Sequence, residues 1–219
     1  MTSFNPNWES YLAKDYAKYI DENTLKYRSD EIDAIEAWLS ENPTKYPAEI
    51  EIGSNRGRFL LGLARARKDA YFLGIELKSS LVRISNNKLR REGLSHAKVI
   101  NADARIALPM LFKPQSVDAI YVLFPDPWWK KKHAKRKLLN EEFFALMHSF
   151  LKPHGVFVLK TDVLDYFNDV KELIASLPTY KLIEIDDVPH HESWELTTRE
   201  RHCVKDGTPF YALGALRLA

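Results

Sequence analysis

The 219-residue sequence predicts an α/β protein, a doubly wound and mostly parallel sheet with helices on both faces, and three observations carry that expectation. Short apolar runs of strand character alternate with stretches whose apolar residues recur at helical spacing. Acidic residues stand just beyond four successive runs or in their turns: Glu51, Glu76, Asp103 and Asp126. The run from Val117 to Phe124 is almost wholly apolar, as a central strand covered on both faces must be. With 45% hydrophobic residues, the chain can bury a full core as one domain.

From Met1 to Pro47 the sequence is polar and tyrosine-rich and reads as an N-terminal helical extension, 1–47, ahead of the main domain, 48–219. A helix after Ser29 would place Ile32, Ile35, Trp38 and Leu39 on one face, and Pro43 and Pro47 would end it. Then the period changes. Ile50 and Ile52 alternate with glutamates as a strand, and Gly53-Ser54-Asn55-Arg56-Gly57 turns into a helix bearing Phe59, Leu60, Leu63 and Ala64. Tyr71 to Ile75 is a second strand ending at Glu76, and Leu81, Val82, Ile84 and Leu89 stripe a helix closed by Gly93. Ala97 to Asn101 is a third strand ending near Asp103, and Val117 to Phe124 is the fourth. Asn140 caps a helix containing Phe143, Phe144, Met147 and Phe150, with Glu141 and Glu142 at its positive end. Leu151-Lys152-Pro153-His154-Gly155 breaks that helix, and Val156 to Lys160 forms a fifth strand ending in Thr161-Asp162. A helix with Tyr166, Phe167, Val170, Leu173 and Ile174 follows, and Tyr180 to Ile185 and Phe210 to Leu218 bring the sheet to seven strands.

Net charge is only +2, so any attraction for a polyanion must come from a local patch. One exists. Phe124-Pro125-Asp126-Pro127-Trp128-Trp129 runs directly into Lys130, Lys131, Lys132, His133, Lys135, Arg136 and Lys137. Each proline fixes its own φ and drives the residue before it toward extended backbone, so Phe124 and Asp126 are expected to be extended and pre-set. The single cysteine, Cys203, excludes an internal disulfide and a multi-cysteine zinc site and reads as an inert thiol, which suits a reducing cytosol. His190-His191-Glu192 has no further ligand at a recognised spacing, so no metal is expected. The N-terminus lacks a basic segment leading into an apolar one, and no run is long enough to span a bilayer; a cytoplasmic protein is the expectation.

In an open α/β sheet the ligand crevice lies outside the carboxyl ends of the strands, where the four acids can converge. Glu76 follows the glycine turn by about 20 residues, where such folds use an acid to accept from ribose hydroxyls. Glu51 beside Gly53 would repel a pyrophosphate and attract an ammonium group. S-adenosylmethionine carries an ammonium, a sulfonium and ribose hydroxyls, so it suits the pocket better than NAD does.

Glu51-Ile52-Gly53, Gly74-Ile75-Glu76, the Phe124 to Trp128 block with its basic tail, Lys160-Thr161-Asp162 and Thr197-Thr198-Arg199-Glu200 together resemble the bacterial tRNA (guanine-N7-)-methyltransferase family. The resemblance runs in order from about residue 49 to 217. It implies a Rossmann-like class I methyltransferase fold, S-adenosylmethionine as cofactor, and methyl transfer to N7 of a variable-loop guanine in tRNA. It also implies a cofactor site at Glu51, Gly53, Gly57, Glu76, Asp103 and Asp126, with Asp126 catalytic. Lys130, Asp162, Thr197, Thr198, Arg199 and Glu200 match its substrate positions. The family commonly has glycine where this chain has Asn55; asparagine tolerates left-handed backbone, so the turn is expected to survive. Thr198-Arg199 replaces the family's frequent lysine and phenylalanine. A monomer or homodimer without an obligate protein partner is expected.

Guanine N7 has an in-plane lone pair and no proton, so alignment should dominate over base catalysis. Asp126 then reads as an acceptor orienting the guanine N1 and N2 hydrogens, with a general-base role as the other reading. Trp128 and Trp129 suit stacking on a flipped base or packing beneath the loop. The alternatives in other classes are a methyltransferase for another RNA, a protein or a small molecule, and a catalytically inactive RNA-binding relative. Lys131, Lys132, Lys135 and Arg136 are the phosphate-contact candidates of the basic run. Replacing Lys131, Lys132 and Lys135 with alanine is expected to weaken tRNA binding and flatten its dependence on salt, each lost contact lowering the slope by about 1. A filter-binding titration across salt concentrations checks this, and an unchanged slope rejects phosphate contact.

Overall fold

The computed structural model describes Ser10, residues 47–126 and residues 138–219. The helix expected after Ser29, Trp128, Trp129 and the basic run lie outside the described residues. Five strands pair in parallel: β1 (Pro47–Ile52), β2 (Tyr71–Glu76), β3 (Ala97–Asn101), β4 (Val117–Leu123) and β5 (Leu151–Thr161). β6 (Tyr180–Ile183) and β7 (Tyr211–Arg217) add antiparallel pairs beyond β5. The order is β3-β2-β1-β4-β5-β7-β6, so the winding reverses between β1 and β4 and opens a crevice at their carboxyl ends. Register aligns that edge. Ile52 pairs with Ile75 on one side and Val122 on the other, and Val122 pairs with Leu159.

Period-2 alternation sends successive strand residues into two separate cores. Ile50, Leu73, Ile120 and Phe157 pack on one face with Leu108, Phe144 and Ile174. Phe72, Val99, Tyr121 and Val158 pack on the other with Phe59, Leu63 and Leu89. The helices supplying these residues are α1 (Arg58–Ala66), α2 (Ser79–Arg91), α3 (Ala104–Leu111), α4 (Glu141–Phe150) and α5 (Leu164–Ser176). α4 begins as its sequence requires, with the Asn140 side chain accepting from the Phe143 amide at 2.9 Å and Glu141 and Glu142 in the first turn.

Four elements differ from the sequence expectation. α3 was not foreseen: nearly every residue in it is buried, so no 3.6-residue stripe exists to find, and Pro109 lies inside it. α6 (Thr198–Asp206) was read only as a motif. β5 starts at Leu151, which pairs with Val117; an irregularity absorbs the Pro153-His154-Gly155 break before Val156 pairs with Ala119. Phe124 is not extended. Its φ is 54° because its amide stays in the ladder, donating to Lys160 O at 2.7 Å, while its ring turns toward Phe210 at 6.1 Å between centroids. A left-handed bulky residue before proline costs on the order of 1–3 kcal/mol, which the surrounding packing must offset. Among the described residues no helix is long and apolar enough to cross a membrane.

Gly74 shows how closely the first turn sits on the sheet. A Cβ there would meet Ser54 Oγ at 2.8 Å and Val99 Cγ2 at 2.9 Å. Gly74→Ala is therefore expected to destabilise the fold by about 1–3 kcal/mol through overpacking. Urea denaturation measures this, and a midpoint equal to that of the wild type would show that the turn yields freely.

Candidate active site

The glycine turn is built on backbone conformations that few residues accept. Gly53, Asn55 and Gly57 have φ of 75°, 49° and 65°, so asparagine does occupy the left-handed position where a glycine would be easiest. Gly57 is restricted twice, since a Cβ there would also approach Ser85 Cβ and Oγ at 2.9 Å. The Glu76 carboxylate fastens the turn from the next strand. Its Oε2 accepts from the Asn55 amide at 2.9 Å and its Oε1 from the Lys78 amide at 2.9 Å, which joins the turn to the start of α2.

Past this turn opens a cavity of about 460 Å³. Its wall joins Glu51, Gly53 and Arg58 from the first strand and helix, Phe124 and Asp126 from the end of β4, Asp162 after β5, and Thr197, Thr198 and Arg199 at the start of α6. Seven residues expected in the site therefore meet at one opening. Asp126 stands exposed at the rim. Asp162 accepts from Arg199 Nε at 2.9 Å and pairs with its Nη2.

Four other expected residues lie outside that wall. Gly57 and Glu76 form the turn's underside. Asp103 accepts from the Arg105 amide at 3.0 Å as the cap of α3, and its Oδ2 pairs with Arg105 Nη2 at 2.6 Å. Glu200, at 1% exposure, is beneath the surface: its Oε2 accepts from the Thr197 amide at 2.7 Å, and its Oε1 accepts from Lys160 Nζ at 2.7 Å. With the Thr197 hydroxyl accepting from the Glu200 amide at 3.0 Å, this is a capping box. Thr-x-x-Glu is itself the signal for that helix start. Lys130, Lys131, Lys132, Lys135 and Arg136 lie outside the described residues, and Cys203 is buried at 2% exposure.

Three polar atoms on the cavity wall are closed off from solvent and lack a hydrogen-bond partner: Glu51 Oε2, Ser54 Oγ and Arg58 Nε. Buried polar groups are ordinarily satisfied, so these three are groups that water or a polar ligand entering the cavity can satisfy. Arg58 was missed from sequence, although it opens the helix immediately past the glycine turn. Burial pushes the Glu51 carboxyl up to about 8, reinforced by the Glu76 charge and opposed by the Leu60 amide. A neutral carboxyl at neutral pH is what a cationic ligand would convert to carboxylate.

This sheet order, with an antiparallel strand inserted beside β5 and a glycine turn opening onto an acid-lined cavity, is the class I methyltransferase architecture. The solved structures agree. Precorrin-6y C5,15-methyltransferase from Geobacter metallireducens superposes with a TM-score of 0.54 at 15% identity over 85% of this chain and 87% of that one. The aminoglycoside resistance methyltransferase NpmB1 gives 0.53 at 17% identity over 84% and 93%. The family described as "Putative methyltransferase" matches residues 45–213. A tRNA (guanine-N(7)-)-methyltransferase of Myxococcus xanthus is 32% identical over 183 residues, 83% of this chain and 89% of the relative. One of Enterococcus faecalis is 35% identical over 157 residues, 72% and 69% respectively. The chain belongs to the tRNA (guanine-N7-)-methyltransferase family.

The weakened acidity of Glu51 bears on the stability of the folded state. An acid that titrates at about 8 when folded and 4.5 when unfolded holds its proton more tightly in the native protein. Its contribution to stability is complete below about 4.5 and is lost as pH rises toward about 8. In Glu51→Gln that loss is expected to vanish, so the variant's melting temperature gains on the wild type as pH increases through this window. Parallel melting curves across pH would refute the assignment.

Proposed function

We propose that the protein transfers a methyl group from S-adenosylmethionine to N7 of a guanine in tRNA, in the variable loop. The observation that carries this reading is the meeting of the orphaned Glu51 and Arg58 atoms with Asp126, Asp162 and the Thr197 to Arg199 segment around one cavity in a chain of this family. When bound, S-adenosylmethionine supplies an electrophilic methyl group to a lone pair that has no proton to remove. Glu51 and the glycine turn would hold its amino-acid end, and Glu76 and Asp103 would serve its ribose and base. Asp126, on the rim, accepts from the guanine N1 and N2 hydrogens and stands near the positive charge that N7 acquires. Asp162 and Arg199 form a fixed, oppositely charged pair on the other wall, which suits contact with the nucleotide's polar edge. Oriented alignment supplies most of the acceleration, and no general base is required. The basic run beyond Asp126 holds the tRNA backbone. This reading, together with bacterial relatives named for tRNA, implies work in the cytoplasm.

The test is incubation with unmodified tRNA and methyl-labelled S-adenosylmethionine, followed by nucleoside analysis for 7-methylguanosine. Label in another nucleoside, or none, overturns the reading. Asp126→Ala is expected to lower the transfer rate on the order of 100-fold through lost alignment while melting as the wild type does. Near-normal turnover in that variant would remove Asp126 from the reaction.

A further inference from the structure

Two of the orphaned atoms belong to groups of opposite kind, an acid and a base. Glu51 is an acid buried to 5% exposure with Oε2 unpartnered, and Arg58 is a permanent cation whose Nε is sealed from water and unpartnered. Both line the same cavity, yet neither satisfies the other. A cavity that holds an unpaired acid and an unpaired guanidinium is complementary to a zwitterion rather than to a simple cation.

We propose that Arg58 binds the carboxylate of the cofactor's amino-acid end while Glu51 takes its ammonium, so that the pocket recognises an α-amino acid at two poles. The proposal rests on the reading of S-adenosylmethionine as cofactor. Arg58 is the first residue of α1, so a carboxylate placed there also meets the helix's positive end. Ser54 Oγ, on the same wall and equally unpartnered, is a third group with hydrogen-bonding capacity to spare. The local charge balance favours an anion as well. Arg56 and Arg58 line the α1 side of the opening, and behind them the Lys88 ammonium donates to Arg56 O at 3.0 Å and is held below its ordinary value by burial and then by Arg56 and Arg58, against the opposing charge of Glu92. An incoming carboxylate relieves that repulsion. Arg199 is already engaged by Asp162, which leaves the α1 side to receive it.

Calorimetric titration with S-adenosylhomocysteine and with 5′-methylthioadenosine, which lacks the amino-acid end, tests this without any turnover. In Arg58→Gln, S-adenosylhomocysteine is expected to bind about ten- to hundredfold more weakly, as loss of a charged hydrogen bond implies, while 5′-methylthioadenosine binds as before. Arg58→Lys should recover part of the loss. Equal S-adenosylhomocysteine affinity in wild type and Arg58→Gln overturns the proposal, and a fall confined to tRNA affinity would assign the guanidinium to RNA phosphate instead. Should Arg58→Gln fold poorly, decarboxylated S-adenosylhomocysteine on the wild-type protein decides the matter: binding as tight as the intact compound overturns it. If the wild type binds none of these nucleosides, the cofactor reading itself fails.

Discussion

The ion pair between Lys160 and Glu200 is the constraint on which the site depends. Both side chains are almost fully buried, at 7% and 1%, and such a pair is stable only when every remaining polar position is met. Here it is. The second oxygen of Glu200 receives the Thr197 amide, and the ammonium lies over the Trp194 ring at 5.0 Å. Trp194 in turn meets Phe59 and Tyr121 edge-on, each at 5.4 Å. A single charge interaction thus fastens α6 to β5, and through the indole it reaches the first helix and the central strand. Thr197, Thr198 and Arg199 have a fixed position because the residue after them is anchored below.

The same division between anchor and presenter explains how the acids at the strand ends are used. Glu76 and Asp103 are committed to backbone amides and a neighbouring arginine, so they shape the turn and the start of α3 before any ligand arrives. Glu51 keeps one oxygen in reserve. Asp126 keeps its whole side chain at the opening. The strained backbone at Phe124 sits between these roles: the amide stays in the sheet while the chain behind it swings out to carry Asp126 across the crevice.

Much of this was legible in the amino-acid order because strands under both-face burial must be apolar, and where such a run stops the edge of the sheet is near. Ile52, Ile75 and Val122 end their runs in register, so Glu51, Glu76 and Asp126 could be set near one edge of the sheet without knowing a single contact; of these, Glu51 and Asp126 line the cavity and Glu76 does not. α3 escaped because a helix buried on all sides has no stripe. Phe124 escaped because the local preference imposed by Pro125 lost to one ladder hydrogen bond. Arg58 carried only the weak signal of following Gly57, and what sets it apart, a guanidinium nitrogen sealed off without a partner, is a property of the folded molecule alone. Glu200 was recognisable as part of a motif, but its burial on Lys160, 40 positions earlier, required the tertiary structure.

The position of β7 has a consequence for how the protein comes into being. β7 follows β6 in the chain yet lies between β5 and β6 in the sheet, so during synthesis β5 must wait with an open edge while β6 has nothing to pair with. Residues emerge at about 5–20 per second, which makes this an interval of seconds rather than microseconds. Glu200 emerges within that same interval, ahead of β7, so the segment bearing Thr197 to Arg199 is locked onto Lys160 only in the last stage of assembly. A nascent chain therefore presents an unfinished opening until Glu200 has reached Lys160.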